Sequence, residues 1–280
     1  MRLEDESAVF RDTISAEYAD IVVAVTELGS PTTLMLVLAI LFWCGSRRRS
    51  ALVISYGVAG LGFMLALETL LGLPRPPESV YLTSIDVEGY GFPSGHAFAS
   101  VVVYGGLVSV YDRPRDPVAL LGAGTLVAAV SLSRVVLGVH YLGDVIVGAI
   151  LGVVFVAAMN RVSRGMPTVG FAVALALAVP AVYVTDAAAY AVLALGAAIG
   201  GLLTTGWIDR LPRLRSRLEG LVLVVVGGSV LVALRIVETI VDLTPLLVAL
   251  YAVFVAWIVF APALVDRVGW TILESSGTDS

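Results

Sequence analysis

Three short polar stretches carry groups that could do chemistry together. Residues 133–144 read S-R-V-V-L-G-V-H-Y-L-G-D and put Arg134, His140 and Asp144 at the edge of otherwise apolar sequence. The chain has 2 histidines, and the other, His96, stands in Phe92-Pro93-Ser94-Gly95-His96. A third stretch, Leu73-Pro74-Arg75-Pro76, closes an apolar run. Ionisable groups at such positions are costly to keep, which makes each a functional candidate. A histidine four residues before an aspartate, at the start of a helix, lets the carboxylate accept a hydrogen bond from one ring nitrogen and fix the tautomer. The other nitrogen keeps its lone pair and can attack phosphorus to form a phosphohistidine. The planar forks of Arg75 and Arg134 suit them to hold two phosphate oxygens at once. Ser94 and Gly95 open a helix, where backbone N–H groups and the helix dipole favour an anion and glycine allows its close approach. His96, one residue on, is positioned to protonate the departing oxygen.

The elements that must position these groups are membrane helices. Of the 280 residues, 59% are hydrophobic, and the mean hydropathy is +0.97; soluble domains have an apolar share of only ~45–50%. A span needs roughly 20 mainly apolar residues. Nine candidate runs are present, at about 30–46, 51–73, 94–111, 117–132, 141–159, 169–184, 187–207, 220–241 and 245–265. The expected fold is therefore all-α, a polytopic membrane bundle of about nine transmembrane helices, multi-pass in the cell membrane. It divides into an acidic amphipathic N-terminal helix over 1–29, a five-span core over 30–159, a four-span C-terminal region over 160–265 and a polar tail over 266–280. The N-terminal stretch lacks the basic n-region of a signal peptide. Cys44 is the single cysteine, so no internal disulfide can form.

Arginine placement orients the stack, because cytoplasmic loops hold an excess of basic residues. All 17 basic residues are arginine. Those at 47–49, 113 and 115, 161 and 164, and 210–217 fall on one side of a nine-span arrangement, and Arg267 joins them. On the other side lie the acidic N-terminus, the 74–93 loop with Glu78, Asp86 and Glu88, and residues 133–140. The three chemical stretches thus converge on the extracytoplasmic face. Gly148–Gly152 and Gly196–Gly200 have the small-xxx-small spacing of helix contact faces. Arg235 and Glu238, one turn apart, read as a local ion pair. No basic patch fits a nucleic acid.

Taken together, Arg75-Pro76, then Pro93 to His96, then Ser133, Arg134, His140 and Asp144, the residues resemble the three-part signature of the type 2 phosphatidic acid phosphatase and vanadium haloperoxidase superfamily. The resemblance covers roughly residues 27–159 and makes 30–159 the phosphatase core. It implies His140 as nucleophile, Asp144 as its orienting partner, and His96 as acid and then water-activating base. It implies Arg75, Arg134, Ser94 and Gly95 as phosphate ligands, and hydrolysis without metal or other cofactor. One position departs from the signature: seven residues before Arg75, where the family carries a lysine, stands Glu68. A carboxylate facing a phosphate repels it. Either Glu68 points away, or another cation such as Arg235 substitutes, or activity is weak or lost; the intact remainder of the signature favours the first two together.

The expected function is a membrane lipid phosphatase. Its partner is a membrane lipid, phosphatidic-acid-like or a polyprenyl phosphate or diphosphate, whose tail stays in the bilayer. The alternatives are a lipid phosphotransferase using the same intermediate and a catalytically silent membrane protein that binds lipid headgroups.

Overall fold

The apolar runs close their backbone hydrogen bonds within themselves, as a bilayer demands, and among the described residues there is no strand. The computed structural model describes residues 2–12, 14–85, 87, 89–212, 214 and 216–277, side chains excepted for 12 and 268–277. Asp86 and Glu88 of the acidic loop, Arg213 and Arg215 of the arginine-rich loop, and the last three residues of the tail lie outside the described residues.

Two short helices lead, α1 (Glu4–Asp12) and α2 (Ala19–Glu27), followed by α3 (Pro31–Cys44) and the long α4 (Arg47–Leu71). After an extended loop, α5 (Gly95–Ser100), a π-helical stretch over Val101–Gly105 and α6 (Gly106–Val110) form one continuous segment. Then come α7 (Pro117–Val136), α8 (Leu142–Ser163), α9 (Pro167–Val184), α10 (Ala189–Thr204), α11 (Arg217–Glu238) and α12 (Thr244–Gly277).

Helix boundaries follow local chemistry. Ser30 caps α3 by accepting from the N–H of Thr33, with Pro31 at the first helical position. Asp116 does the same for α7, accepting from Val118 and Ala119 ahead of Pro117. Gly72, at φ +60°, ends α4 in the left-handed conformation, and Pro74-Arg75-Pro76 prevents any continuation.

The span count differs from expectation. Among the described residues, 7 helices are long and apolar enough to cross a bilayer, or up to 8 if a bent pair counts as one span. The two that fall short are α3, with 14 residues, and the α5–α6 segment over Gly95–Val110. The cap at Ser30 and the stop at Gly45 shorten α3, which reaches spanning length only with the helix before it, at a bend of 47°. The N-terminal stretch is thus two helices that pack on α7 and α8, where one amphipathic helix was expected. At the other end, α12 carries on through most of the expected polar tail to Gly277.

One hydrophobic core runs through both the five-span and the four-span regions, with Phe42, Trp43, Tyr56 and Phe98 among its buried side chains. The α9 helix packs along α4, and α10 lies between α9 and α12. Indole Nε1 of Trp43 donates to the Ile258 carbonyl at 2.8 Å, tying α3 to α12. Both small-xxx-small faces are contact faces: a Cβ at Gly148 would stand 2.5 Å from Ser94 O on the loop into α5, and one at Gly196 the same 2.5 Å from Val248 O on α12.

The bundle has two chemically distinct ends. At one, Arg49 pairs with Asp112 at 2.6 Å and Arg48 with Asp209 at 3.8 Å, so the loops after α3, α6 and α10 meet there. At the other, the 74–91 loop meets the turn between α7 and α8 through Leu82 N–H to Leu137 O at 3.1 Å. The 25 residues of α4 separate the two ends, about 37 Å of helix at ~1.5 Å per residue.

Candidate active site

The turn between α7 and α8 delivers His140. Gly138 takes φ +77°, open to glycine at little cost, and Val80 O packs where a Cβ would stand. His140 is only 2% exposed. Its Nδ1 lies 2.8 Å from Gly91 O and its Nε2 2.9 Å from Arg75 Nη1. A guanidinium only donates and a carbonyl only accepts, so Nδ1 carries the proton and Nε2 presents its lone pair. Burial, chiefly, with help from Arg134 and Arg75, pushes this imidazole down to about 4, against the upward pull of Asp144 and the Gly91 carbonyl.

Asp144, the expected orienting partner, is fully buried in the first turn of α8. Its Oδ2 stands 3.7 Å from His140 Nδ1, beyond hydrogen-bond reach. It accepts instead from Tyr141 N–H at 2.8 Å and, through both oxygens, from Arg2 at 2.8 and 2.7 Å. The tautomer-fixing bond expected of a carboxylate is made by the backbone carbonyl of Gly91.

Arg134, in the last turn of α7, is 4% exposed. Its Nη1 donates to Thr26 Oγ1 at 3.2 Å, while its Nε is buried with no hydrogen-bond partner among the described residues. Ser94 Oγ is likewise buried and unpartnered among the described residues. The Ser94 N–H, expected to face an anion, instead donates to Asp144 O at 3.0 Å. Arg75 also donates to Val139 O at 3.4 Å. Burial lowers its guanidinium from the ordinary value, opposed by Glu68, Tyr81 and Asp144. His96, in the first turn of α5, lies within electrostatic reach of Arg134, His140 and Arg75. The structure therefore brings His96, His140, Asp144, Arg75, Arg134, Ser94 and Gly95 to one end of the bundle.

The two doubtful positions resolve differently from expectation. Glu68 does not point away: its Oε1 is 3.0 Å from where a Gly95 Cβ would stand, and both Arg75 and Arg134 act on it electrostatically. Among the described residues its carboxylate makes no ion pair and no hydrogen bond. Met64, four residues earlier, faces the same point, as i and i+4 must on a helix. Arg235 does not substitute for the lost cation. It donates to Glu238 at 2.5 Å and to Thr32 Oγ1 at 2.7 Å, and Tyr251 OH completes the cluster on Glu238 at 2.7 Å. The expected local ion pair is present.

Sequence reasoning missed Arg2, Thr26 and Gly91. A backbone carbonyl such as that of Gly91 leaves no side-chain signal at all. Arg2 had one: it is a lone cation ahead of Glu4, Asp5 and Glu6.

The fold is that of a polytopic helical membrane protein, with His140, Arg134, Asp144 and Ser94 buried toward one end of the bundle. Residues 50–166 match the model of the PAP2 superfamily. A further match is the dihydrosphingosine 1-phosphate phosphatase of Schizosaccharomyces pombe, 36% identical over 140 residues, which cover 45% of this chain and 33% of the yeast protein. The chain thus spans about a third of the length of that curated relative. No solved structure matches it significantly.

Proposed function

We propose that this chain is a membrane lipid phosphatase that works through a phosphohistidine on His140 at the extracytoplasmic face. One observation carries the reading: Arg134 Nε and Ser94 Oγ are buried without partners among the described residues, at the same end of the bundle as an imidazole whose Nε2 lone pair faces the Arg75 guanidinium. Buried polar atoms ordinarily find partners, and an orphan pair calls for a ligand rich in acceptors. A phosphate supplies oxygens for both.

The chemistry follows from the bonds in hand. Arg75 donates to Nε2 in the resting site; an arriving phosphate offers that guanidinium stronger, charge-assisted acceptors and frees the lone pair. Nε2 then attacks phosphorus, the P–O bond to the lipid breaks, and His96 gives its proton to the leaving oxygen. A water deprotonated by His96 attacks the phosphohistidine, breaking the P–N bond and releasing phosphate. Arg75 and Arg134 stabilise charge developing on the oxygens in both steps.

The arginine-rich end of the bundle supports a cytoplasmic position for that end and an extracytoplasmic one for the site. For substrates, the matched relative's name supports long-chain base phosphates, beside phosphatidic-acid-like lipids and polyprenyl phosphates or diphosphates. Headgroup binding without turnover is the second reading, favoured by one observation: the Glu68 carboxylate near Gly95.

The test is phosphate release in detergent from a panel of these lipids, with EDTA present, by the wild type and by His140→Ala. Release by the wild type alone is expected. Release by both would refute His140 as nucleophile, and silence from both folded proteins would leave the binding reading.

A further inference from the structure

The N-terminal segment enters the site with one side chain. Arg2 Nε donates to Asp144 Oδ1 at 2.8 Å and Nη2 to Oδ2 at 2.7 Å, a two-pronged pair with a fully buried carboxylate. Its Nη1 donates to Pro74 O at 2.7 Å, and Nη2 also reaches Gly91 O at 3.3 Å. Pro74 is the residue before Arg75, and Gly91 O is the acceptor that fixes the His140 tautomer. A single guanidinium therefore joins the carboxylate behind the candidate nucleophile, the carbonyl that orients it and the backbone that carries a phosphate-binding arginine.

The segment is held there by more than this side chain. Leu142 and Gly143, in the first turn of α8, have N–H groups with no partner inside the helix. They donate to Ser7 Oγ at 2.8 Å and to Arg2 O at 3.0 Å. The Arg2 guanidinium lies 4.6 Å from the centre of the Tyr141 ring. A Cβ on Gly143 would stand 2.9 Å from Arg2 O, so the approach needs glycine at that position.

We propose that Arg2 is a positioning residue of this active site, which competes with His140 for Asp144 and, through Gly91 O, holds His140 in its nucleophilic tautomer. The proposal rests on the phosphatase reading above. With both carboxylate oxygens engaged by Arg2, Asp144 stays 3.7 Å from Nδ1 and its charge is shared with a cation. The groups facing His140 are Arg75 from the loop, Arg134 from α7, His96 from α5 and Asp144 from α8, with Arg2 acting through the last of these. Removing Arg2 frees an anion beside His140 and favours the imidazolium. The nucleophile is the neutral ring, so the acid limb of the rate profile must then move to higher pH.

The experiment compares kcat, KM and the pH profile of lipid phosphate hydrolysis for the wild type, Arg2→Gln, Arg2→Lys and Gly143→Ala, each checked for a monodisperse fold. In Arg2→Gln we expect kcat to fall about tenfold or more, as small misplacements of reacting groups do, with KM within about twofold. Its acid limb should rise by about one pH unit, the size of a neighbouring-charge effect. Arg2→Lys keeps the charge without the fork and should fall between. Gly143→Ala leaves Arg2 intact but pushes its backbone off α8, and should reproduce the Arg2→Gln profile. A lower kcat with an unmoved acid limb would reduce Arg2 to scaffolding and overturn the proposal, as would wild-type behaviour in Arg2→Gln. A wild type silent on every lipid would instead overturn the phosphatase reading, and this proposal with it.

Discussion

Two arginine clusters sit at the same end of the bundle and have opposite chemistry. Around Arg235 the groups are mutually satisfied: its two terminal nitrogens reach Glu238 and Thr32, and Tyr251 takes the second oxygen of Glu238. Around Arg134 they are not, since its Nε is buried without a partner among the described residues, as is Ser94 Oγ. Intramembrane charge by itself marks both as candidates. What separates them is hydrogen-bond completeness: a closed network joins α3, α11 and α12, whereas the one around Arg134 is left open.

Mutations should separate the clusters in both activity and stability. Arg134→Gln should lower kcat/KM about 10²–10³-fold, the usual effect of removing one donor to developing charge. Its melting temperature should hold or rise, because a partly satisfied buried charge is removed. A melting temperature that falls with activity intact would assign Arg134 to the structural class. The second-largest effect should come from acid. His140, near 4 when folded and 6.5 when free, contributes its full stability above pH 6.5. That contribution is lost as pH falls from 6.5 through 4, since the unfolded chain binds the proton first. The difference amounts to about 3 kcal/mol at ~1.36 kcal/mol per unit, and His140→Gln should flatten that part of a denaturation-versus-pH curve.

Arg235→Gln should reverse the Arg134 pattern, with hydrolysis within about twofold of wild type and stability lower by about 1–2 kcal/mol as Glu238 loses its charged partner. A large activity loss there would make the closed cluster part of the site. The smallest effect belongs to Glu68→Gln. If the proposed phosphatase reading holds, removing this carboxylate should raise kcat/KM by about threefold, the scale of partly screened Coulomb repulsion. A marked loss would mean that the Glu68 carboxylate has a positive role.

Much of this site was legible because its chemistry is local in sequence. Arg134, His140 and Asp144 lie within 12 residues at spacings that a helix end and a turn convert into proximity. What stayed hidden depends on distant contacts. Arg2 meets Asp144 across 142 residues, and nothing in either segment foretells the pairing. The Gly91 carbonyl took over a role expected of a carboxylate, and backbone groups leave no trace in residue types. The direction of Glu68 was accessible in principle from the helical face it shares with Met64, once α5 was known to pack there. The span count failed for a simpler reason: apolar length does not reveal where Ser30 and Gly45 start and stop α3, nor that α5 begins only after Pro93.

The central claim is that the open cluster is a phosphoryl-transfer site built on His140 Nε2. The most direct measurement is a base quench during turnover of a radiolabelled lipid phosphate, followed by mass spectrometry of the labelled peptide. An alkali-stable, acid-labile phosphate on His140 is expected in the wild type, and none in His140→Ala. Steady hydrolysis with no phosphate on His140, or with phosphate on His96 or a carboxylate, would contradict it.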